Sequence, residues 1–365
     1  MSTWADLKNT VRLRKIYEER IKIIHLIRDF FWSENFVETD TPIALKYVGQ
    51  EPYLNPVAIK IHDPMAVEYG FHLQTSPEFA MKKLLAAGWN KIFQICKCFR
   101  DYEDFGGQHN TEFTMIEWYR APGSLGDIMD DTEKLFKYVG RNLGVEVIKF
   151  NGRKIDIGGK WERLSMKEIW GKWVGVNLDE LLEFIGPSKS TKIGKLAISL
   201  GLAVDEADAF EDIFFKIFLN KIEPNLGNER PVFVYDYPVV MSSLSRRCIE
   251  DDRYAERFEL YIGGLELANA FGELVDAKEQ KMRLEEDKDK RNFLKKETWP
   301  VDPDFISALE SGIPGNLTTA GLPAKAHRAE AGGIALGVDR MVLLFTKAKD
   351  INEVIFQSIK DQINI

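Results

Sequence analysis

The chain has 365 residues, 45% of them hydrophobic and 29% charged, enough for one large core or two smaller ones. Its net charge of −8 has the wrong sign for gripping a long stretch of nucleic-acid backbone, although local basic patches stay open. With no apolar run near the roughly 20 residues of a membrane span, no signal-peptide pattern in MSTWADLKNT and three cysteines that fit a reducing compartment, a soluble cytoplasmic protein is expected.

An amphipathic stretch from Ile16 to Phe31 comes first and reads as a helix. Lys91 to Arg100 (KIFQICKCFR) then alternates, with Ile92, Gln94, Cys96, Cys98 and Arg100 on one face of a strand. Cys96 and Cys98 sit too close on that face to pair comfortably and supply at most two of the four ligands a zinc site needs. Arg100 ends the strand at the mouth of a hairpin. The loop Asp101 to Thr111 is too long and polar for a two-residue turn and is expected to cover a ligand. The return strand, Glu112 to Arg120, places Phe113, Met115, Glu117 and Tyr119 on one face. A carboxylate there needs a polar partner if buried; on these residues alone, an edge hairpin with its charges in water is an equal reading.

Further along, Leu125 to Leu143 fits an amphipathic helix, and VEVIKFNGRKIDIG fits a hairpin turning at Asn151-Gly152. Met166 to Leu219 reads as mostly helical, broken at Pro187 and Gly201, and Pro231 to Pro238 as a buried strand. In ERFELYIGGLELANAFGELVD a two-residue turn at Gly263-Gly264 sets Ile262 against Leu265 and Tyr261 against Glu266, with Glu259 one diagonal away on the same face. Two carboxylates on one sheet face suit a Mg²⁺ that bridges nucleotide phosphates; the alternative is a pair of glutamates at a solvent edge. Lys278 to Lys296 reads as a solvated helix face.

These strings carry a resemblance. FRDYEDFGGQHNTEFTMIEWYR is similar to motif 2 of class II aminoacyl-tRNA synthetases, closest to the lysine subgroup, and GGIALGVDRMVLLF resembles motif 3, with Arg340 near a helix start. Ile16 to Phe31 with ENFVETDTP resembles motif 1, in which a long helix and a strand ending at Pro42 form a dimer interface. From about Leu13 to the C-terminus, the chain resembles more closely still the elongation factor P lysyltransferases, through TSPEFAMKKLLAAG, EFTMIEWYR, EPNLG, FVYDYP, AERFELYIGGLELANAF and IALGVDR. The resemblance implies an α+β fold: one class II catalytic domain with a mostly antiparallel sheet flanked by helices. Motif 1 would fall at about 16–42, motif 2 at about 91–120, a helical insertion at about 160–220 and motif 3 at about 332–346. It also implies a homodimer through motif 1. A lysine-type tRNA synthetase would carry an anticodon-binding OB-fold barrel ahead of motif 1; no room for one is expected here, so tRNA is not the expected acceptor.

Carried over residue by residue, the resemblance makes Arg100 and Arg340 the catalytic cations, Arg100 touching carboxylate and α-phosphate and Arg340 the outer phosphates. Ser76 and Glu78 would contact the amino acid, with Glu78 on its amino group, while Glu117, Tyr119 and Glu273 would surround its distal ammonium and Asn269 would complete the contacts. ATP would be held by Glu103, His109, Asn110, Phe113, Glu266, Leu267 and Gly337 besides the two arginines, and Mg²⁺ by Glu259 and Glu266. Ala335 stands where lysyl-tRNA synthetases carry Gly and the lysyltransferases carry Ala, implying a preference for (R)-β-lysine over lysine; the alternative is a tolerated small core residue. The implied activity is formation of an aminoacyl-adenylate and transfer to a lysine side chain of elongation factor P. Departures are Gly107-Gln108 in place of a basic residue, Thr111 in place of Pro, and a long segment, GNLTTAGLPAKAHRAEAGG, before motif 3. A minimal lysyl-tRNA synthetase-like enzyme with another acceptor, or a catalytically silent regulatory paralogue, stay open as other readings.

Overall fold

The computed structural model describes residues 3–182, 188–313 and 331–363. Pro187 and most of the segment before motif 3 lie outside the described residues. The chain divides into two compact units, Met1–Val145 with Gly272–Ile365, and Glu146–Phe271.

The first unit opens with α1 (Trp4–Asn9) and α2 (Val11–Ser33), then the short strands β1 (Val37–Glu38) and β2 (Ala44–Leu45). The hairpin β3 (Ala58–His62) and β4 (Glu68–Leu73) follows, then α3 (Glu78–Ala86), the long hairpin β5 (Lys91–Phe99) and β6 (Glu112–Arg120), and α4 (Leu125–Leu143). The second unit holds β7 (Val147–Phe150), β8 (Arg153–Asp156), β9 (Glu162–Ser165), α5 (Met166–Trp173), α6 (Lys192–Ser199), α7 (Phe210–Ile217), β10 (Val232–Pro238), β11 (Tyr254–Ile262) and β12 (Leu265–Gly272). The first unit resumes with α8 (Ala277–Phe293), α9 (Pro303–Ser311), β13 (Gly332–Gly337), α10 (Val338–Thr346) and α11 (Ile359–Gln362).

In the first unit β1 pairs in parallel with β5, and β5, β6 and β13 follow antiparallel; β2, β4 and β3 form a small separate sheet. Helix α2 buries Leu13, Ile16, Ile23, Ile27, Phe30 and Phe31, a stripe with helical spacing. Phe31 stacks on Phe93 of β5 at 4.9 Å between ring centroids and meets Trp118 of β6 at 5.0 Å, so the motif 1 helix covers the back of the hairpin. Helix α4 starts at a capping box formed by Ser124 and Asp127.

The expected strand ending at Pro42 is shorter than the sequence suggests. Regular pairing stops at Glu38: the Thr39 N–H and hydroxyl both donate to Phe93 O, and beyond that point the contact with β5 passes to side chains, Gln94 Nε2 donating to the Thr41 hydroxyl. The solvated face read into Lys278 to Lys296 also needs correction. Arg291 is buried, donating to Glu51 O, Leu54 O and Glu297 O and lying 4.5 Å from the Trp299 ring, so it ties α8 to the loop before β3.

In the second unit β12, β11 and β10 run antiparallel and β9 joins β10 in parallel. Helices α5, α6 and α7 supply a core around Trp170, Phe214 and Phe218. The Gly263-Gly264 turn has φ +67° and +77°, a backbone that only glycine adopts without cost at both positions, and Ile262 faces Leu265 as the spacing predicts. The predicted hairpin at Asn151-Gly152 is present as β7 and β8.

Candidate active site

Register in the first unit gathers the expected residues on one sheet face. Glu117 pairs with Gln94 on one side and Ala335 on the other; Tyr119 pairs with Ile92 and Gly333; Met115 pairs with Cys96 and Gly337. Strand β13 therefore presents Gly, Ala and Gly toward the ligand side, leaving the space above β6 clear, while its Ile334 and Leu336 are buried. A Cβ at Gly333 would lie 2.3 Å from Glu273 Oε1 and 2.3 Å from the Tyr119 ring. Gly333 is thus needed so that both side chains can reach the pocket.

Five of the residues expected to contact the amino acid form one linked group there. Ser76 Oγ donates to Glu117 Oε1 at 2.5 Å and accepts the Glu78 backbone N–H at 3.0 Å; Tyr119 donates to Glu117 Oε2 at 2.7 Å. Glu117, Glu273 and Glu78 are all buried. Burial, and then the negative charge of Glu78, push the Glu117 carboxyl well above the usual carboxylate range. Burial, followed by Glu117, likewise keeps the Tyr119 phenol protonated and a donor.

The sequence reading missed one member of this group. Lys82, at the fifth position of α3, has a fully buried side chain whose Nζ lies 2.5 Å from Glu78 Oε1 and 2.5 Å from Glu273 Oε2. Burial works against its charge, but Glu273 and Glu78 together outweigh it and hold its pKa above the ordinary value. The available signal was the four-residue spacing of Glu78 and Lys82 in a helix.

At the other end of the hairpin, the Arg100 guanidinium lies 5.1 Å from the Phe113 ring centroid, and its buried Nε has no hydrogen-bond partner among the described residues. Asn110 donates to Glu112 O at 2.6 Å, while its Oδ1 likewise has no partner among the described residues. Unpartnered buried polar atoms beside an aromatic face fit a planar polar ligand such as a nucleotide. Glu103 accepts from His109 Nδ1 at 2.8 Å, which holds its carboxyl below the usual range, and Arg340 approaches His109 Nε2 at 3.4 Å and Gln108 O at 3.3 Å. Gly107 and Gln108, the departures in this loop, are its anchors: the Gly107 N–H donates to Asp350 Oδ2 at 2.7 Å and its carbonyl accepts from the Ile351 N–H at 2.9 Å.

Arg340 is set by its neighbour. Asp339 is buried, pairs with Arg20 of α2 and accepts the Thr114 N–H of β6 at 2.7 Å, while Arg20 also donates to Thr114 Oγ1 at 2.8 Å. Sequence spacing gave no warning of this link between motif 1, motif 2 and motif 3, since its members are far apart in the chain.

In the second unit, Tyr261 faces Glu266 as expected, but a bulge between Leu260 and Tyr261 shifts the register so that Glu259 lies opposite Asn269. Leu267 is buried in that bulged stretch. Glu259 is buried and accepts from Tyr237 at 2.6 Å and Tyr261 at 2.5 Å, with Arg257 on its other oxygen; Arg257 Nε also donates to Asn269 Oδ1 at 3.0 Å. Among the described residues no cluster of three or more metal-ligating side chains occurs. A pair of carboxylates is what Mg²⁺ takes when phosphates and waters fill its other positions, and Glu259 and Glu266 have that chemistry, although both oxygens of Glu259 already accept hydrogen bonds from Tyr237, Tyr261 and Arg257.

A mostly antiparallel sheet, a hairpin bearing Arg100 over Phe113, and a Gly-rich strand leading into the Arg340 helix are the parts of a class II synthetase catalytic fold. The family model "tRNA synthetases class II (D, K and N)" matches residues 2–359, and the chain belongs to that family. It is 33% identical over 360 residues to "Elongation factor P--(R)-beta-lysine ligase" of Pectobacterium atrosepticum, covering 98% of each chain. It is 35% identical to the protein of the same name from Haemophilus ducreyi, over 92% of this chain and 91% of that one. "Lysine--tRNA ligase" of Pelotomaculum thermopropionicum is 34% identical over 96% of this chain, which spans 65% of that relative's length. No helix among the described residues is long and apolar enough to cross a membrane.

Proposed function

We propose that the chain is an ATP-dependent ligase that activates (R)-β-lysine, or lysine, as an adenylate and transfers it to a lysine side chain of elongation factor P. The observation that carries this reading is the buried acidic cluster of Glu78, Glu117 and Glu273, gathered at one end of the hairpin that carries Arg100 at its other end. Buried carboxylates select a ligand with ammonium groups, while a guanidinium with an unpartnered donor suits a carboxylate and phosphate. Relatives matched over nearly their whole length that are named for elongation factor P support that acceptor over tRNA.

In the reaction, Glu78 holds the near amino group, and Glu117, Tyr119 and Glu273 surround the distal ammonium; the resemblance adds Asn269 as a further amino-acid contact. The substrate carboxylate attacks the α-phosphorus of ATP, pyrophosphate leaves, and an amine of the protein acceptor takes the acyl group from the mixed anhydride, releasing AMP. Arg100 meets the charge that builds at the α-phosphate, and Arg340 with His109 steadies the outer phosphates, so catalysis is positioning and charge stabilisation without an enzyme nucleophile. Glu103, Asn110, Phe113, Glu266, Leu267 and the clear strand at Gly337 hold the nucleotide. Glu259 and Glu266 would hold a Mg²⁺, which would supply charge neutralisation to the phosphates. The enzyme works in the cytoplasm as a homodimer through motif 1.

Exchange of labelled pyrophosphate into ATP, run separately with lysine and (R)-β-lysine, is the test; dependence on either amine is expected, with the β-isomer favoured. No exchange with either would end the reading. A minimal tRNA-charging enzyme is the second reading, favoured by the lysine--tRNA ligase relative, and acylation of tRNA but not of elongation factor P would establish it.

A further inference from the structure

We propose that Lys82 is a positioning residue that fixes Glu78 and Glu273 and sets the charge of the amine pocket to match a substrate with two ammonium groups. The inference rests on the pocket assignment above and adds to it a residue that does not touch the substrate.

Three carboxylates, Glu78, Glu117 and Glu273, and one ammonium, Lys82, are buried together in the first unit. With all four ionised the group carries two negative charges. Lysine and (R)-β-lysine each bring two ammonium groups, so the filled pocket is neutral. Without Lys82, Glu78 and Glu273 would face each other's charge in a dry site, and one would take a proton or swing away. Either change would displace a carboxylate that is expected to grip the substrate.

The geometry supports a fixed part rather than a mobile one. Lys82 is in α3, one helical turn after Glu78, and its Nζ is 2.5 Å from an oxygen of each carboxylate. Glu273 is held from the chain side as well, since its N–H donates to Ala331 O at 2.9 Å and its Oε1 sits where a Cβ on Gly333 would be. A buried ion pair is commonly no stability gain over apolar packing. Its retention inside a ligand pocket therefore points to a role in the ligand's charge balance.

The test is pyrophosphate exchange with K82M and K82Q, which remove the charge, and K82R, which keeps it, together with each variant's melting temperature. The neutral variants should raise the KM for the amino acid about tenfold or more while the KM for ATP stays within about twofold, and K82R should fall nearer the wild type. If neither neutral variant folds, K82R alone decides: its amino-acid KM must move by more than its KM for ATP. A folded neutral variant with unchanged amino-acid KM, an ATP KM that rises in step, or a K82R worse than both neutral variants overturns the proposal. Wild-type exchange with indifferent variants ends this inference alone, whereas a wild type inactive with both lysine isomers ends the pocket assignment and this inference with it.

Discussion

Glu117 occupies a strand position where a polar residue survives only with partners, and Ser76 and Tyr119 donate to its two oxygens. Its pKa is raised by burial and then by Glu78, with Tyr119, Ser76 and Cys96 also facing it. An ammonium group favours the ionised form, so binding lowers that pKa. Ligand affinity should therefore fall as pH drops through the raised value, and binding in that pH range should release protons. Calorimetric titration with lysine in two buffers of different ionisation enthalpy measures this; equal heats in both would count against the assignment. Ala335, directly opposite Glu117, can be tested by one methyl group. A335G should shift selectivity toward lysine by about 10- to 200-fold, the worth of roughly 1–3 kcal/mol at a pocket wall, read as the ratio of kcat/KM for the two isomers.

The hairpin of β5 and β6 was legible as an element because period-two alternation and the long polar loop are local signals, and the same holds for the Gly263-Gly264 turn. What escaped were features made by pairing across elements. The bulge that moves Glu259 opposite Asn269, the early end of β1, and the buried arginines Arg20 and Arg291 all depend on partners distant in sequence. Helices α2 and α10 and strand β6 meet at Asp339, so this link is where three motifs are held in register. D339N keeps the shape but leaves Arg20 buried without its carboxylate. The expected loss is about 3–5 kcal/mol of stability, seen as a lower urea midpoint; a loss under about 1 kcal/mol would mean that Thr114 alone satisfies Arg20.

At the scale of the whole molecule, the division at Val145 and Gly272 was not readable, because no linker composition marks either point and the chain leaves and re-enters the first unit between ordinary elements. The candidate site was readable to a greater degree than that division, since short strings such as TSPEFAMKK and IALGVDR carry it. The assembly was anticipated only through the resemblance of α2 and β1 to motif 1. In the first unit β1 pairs only at Val37 and Glu38 with β5, and Ile21, Trp32 and Val37 on these two elements are 44%, 52% and 48% exposed. Apolar side chains grouped along a helix and a short edge strand are a liability unless covered, and a second copy placing the same patch across a two-fold axis covers both at once. The chain should therefore sediment as a dimer at micromolar concentration. The double variant W32E/V37K puts charge at the centre of that surface and should sediment as a folded monomer with unaltered far-ultraviolet circular dichroism. A wild type that is monomeric across the same range, or a double variant that stays dimeric, would place the contact elsewhere and leave these apolar residues without that explanation.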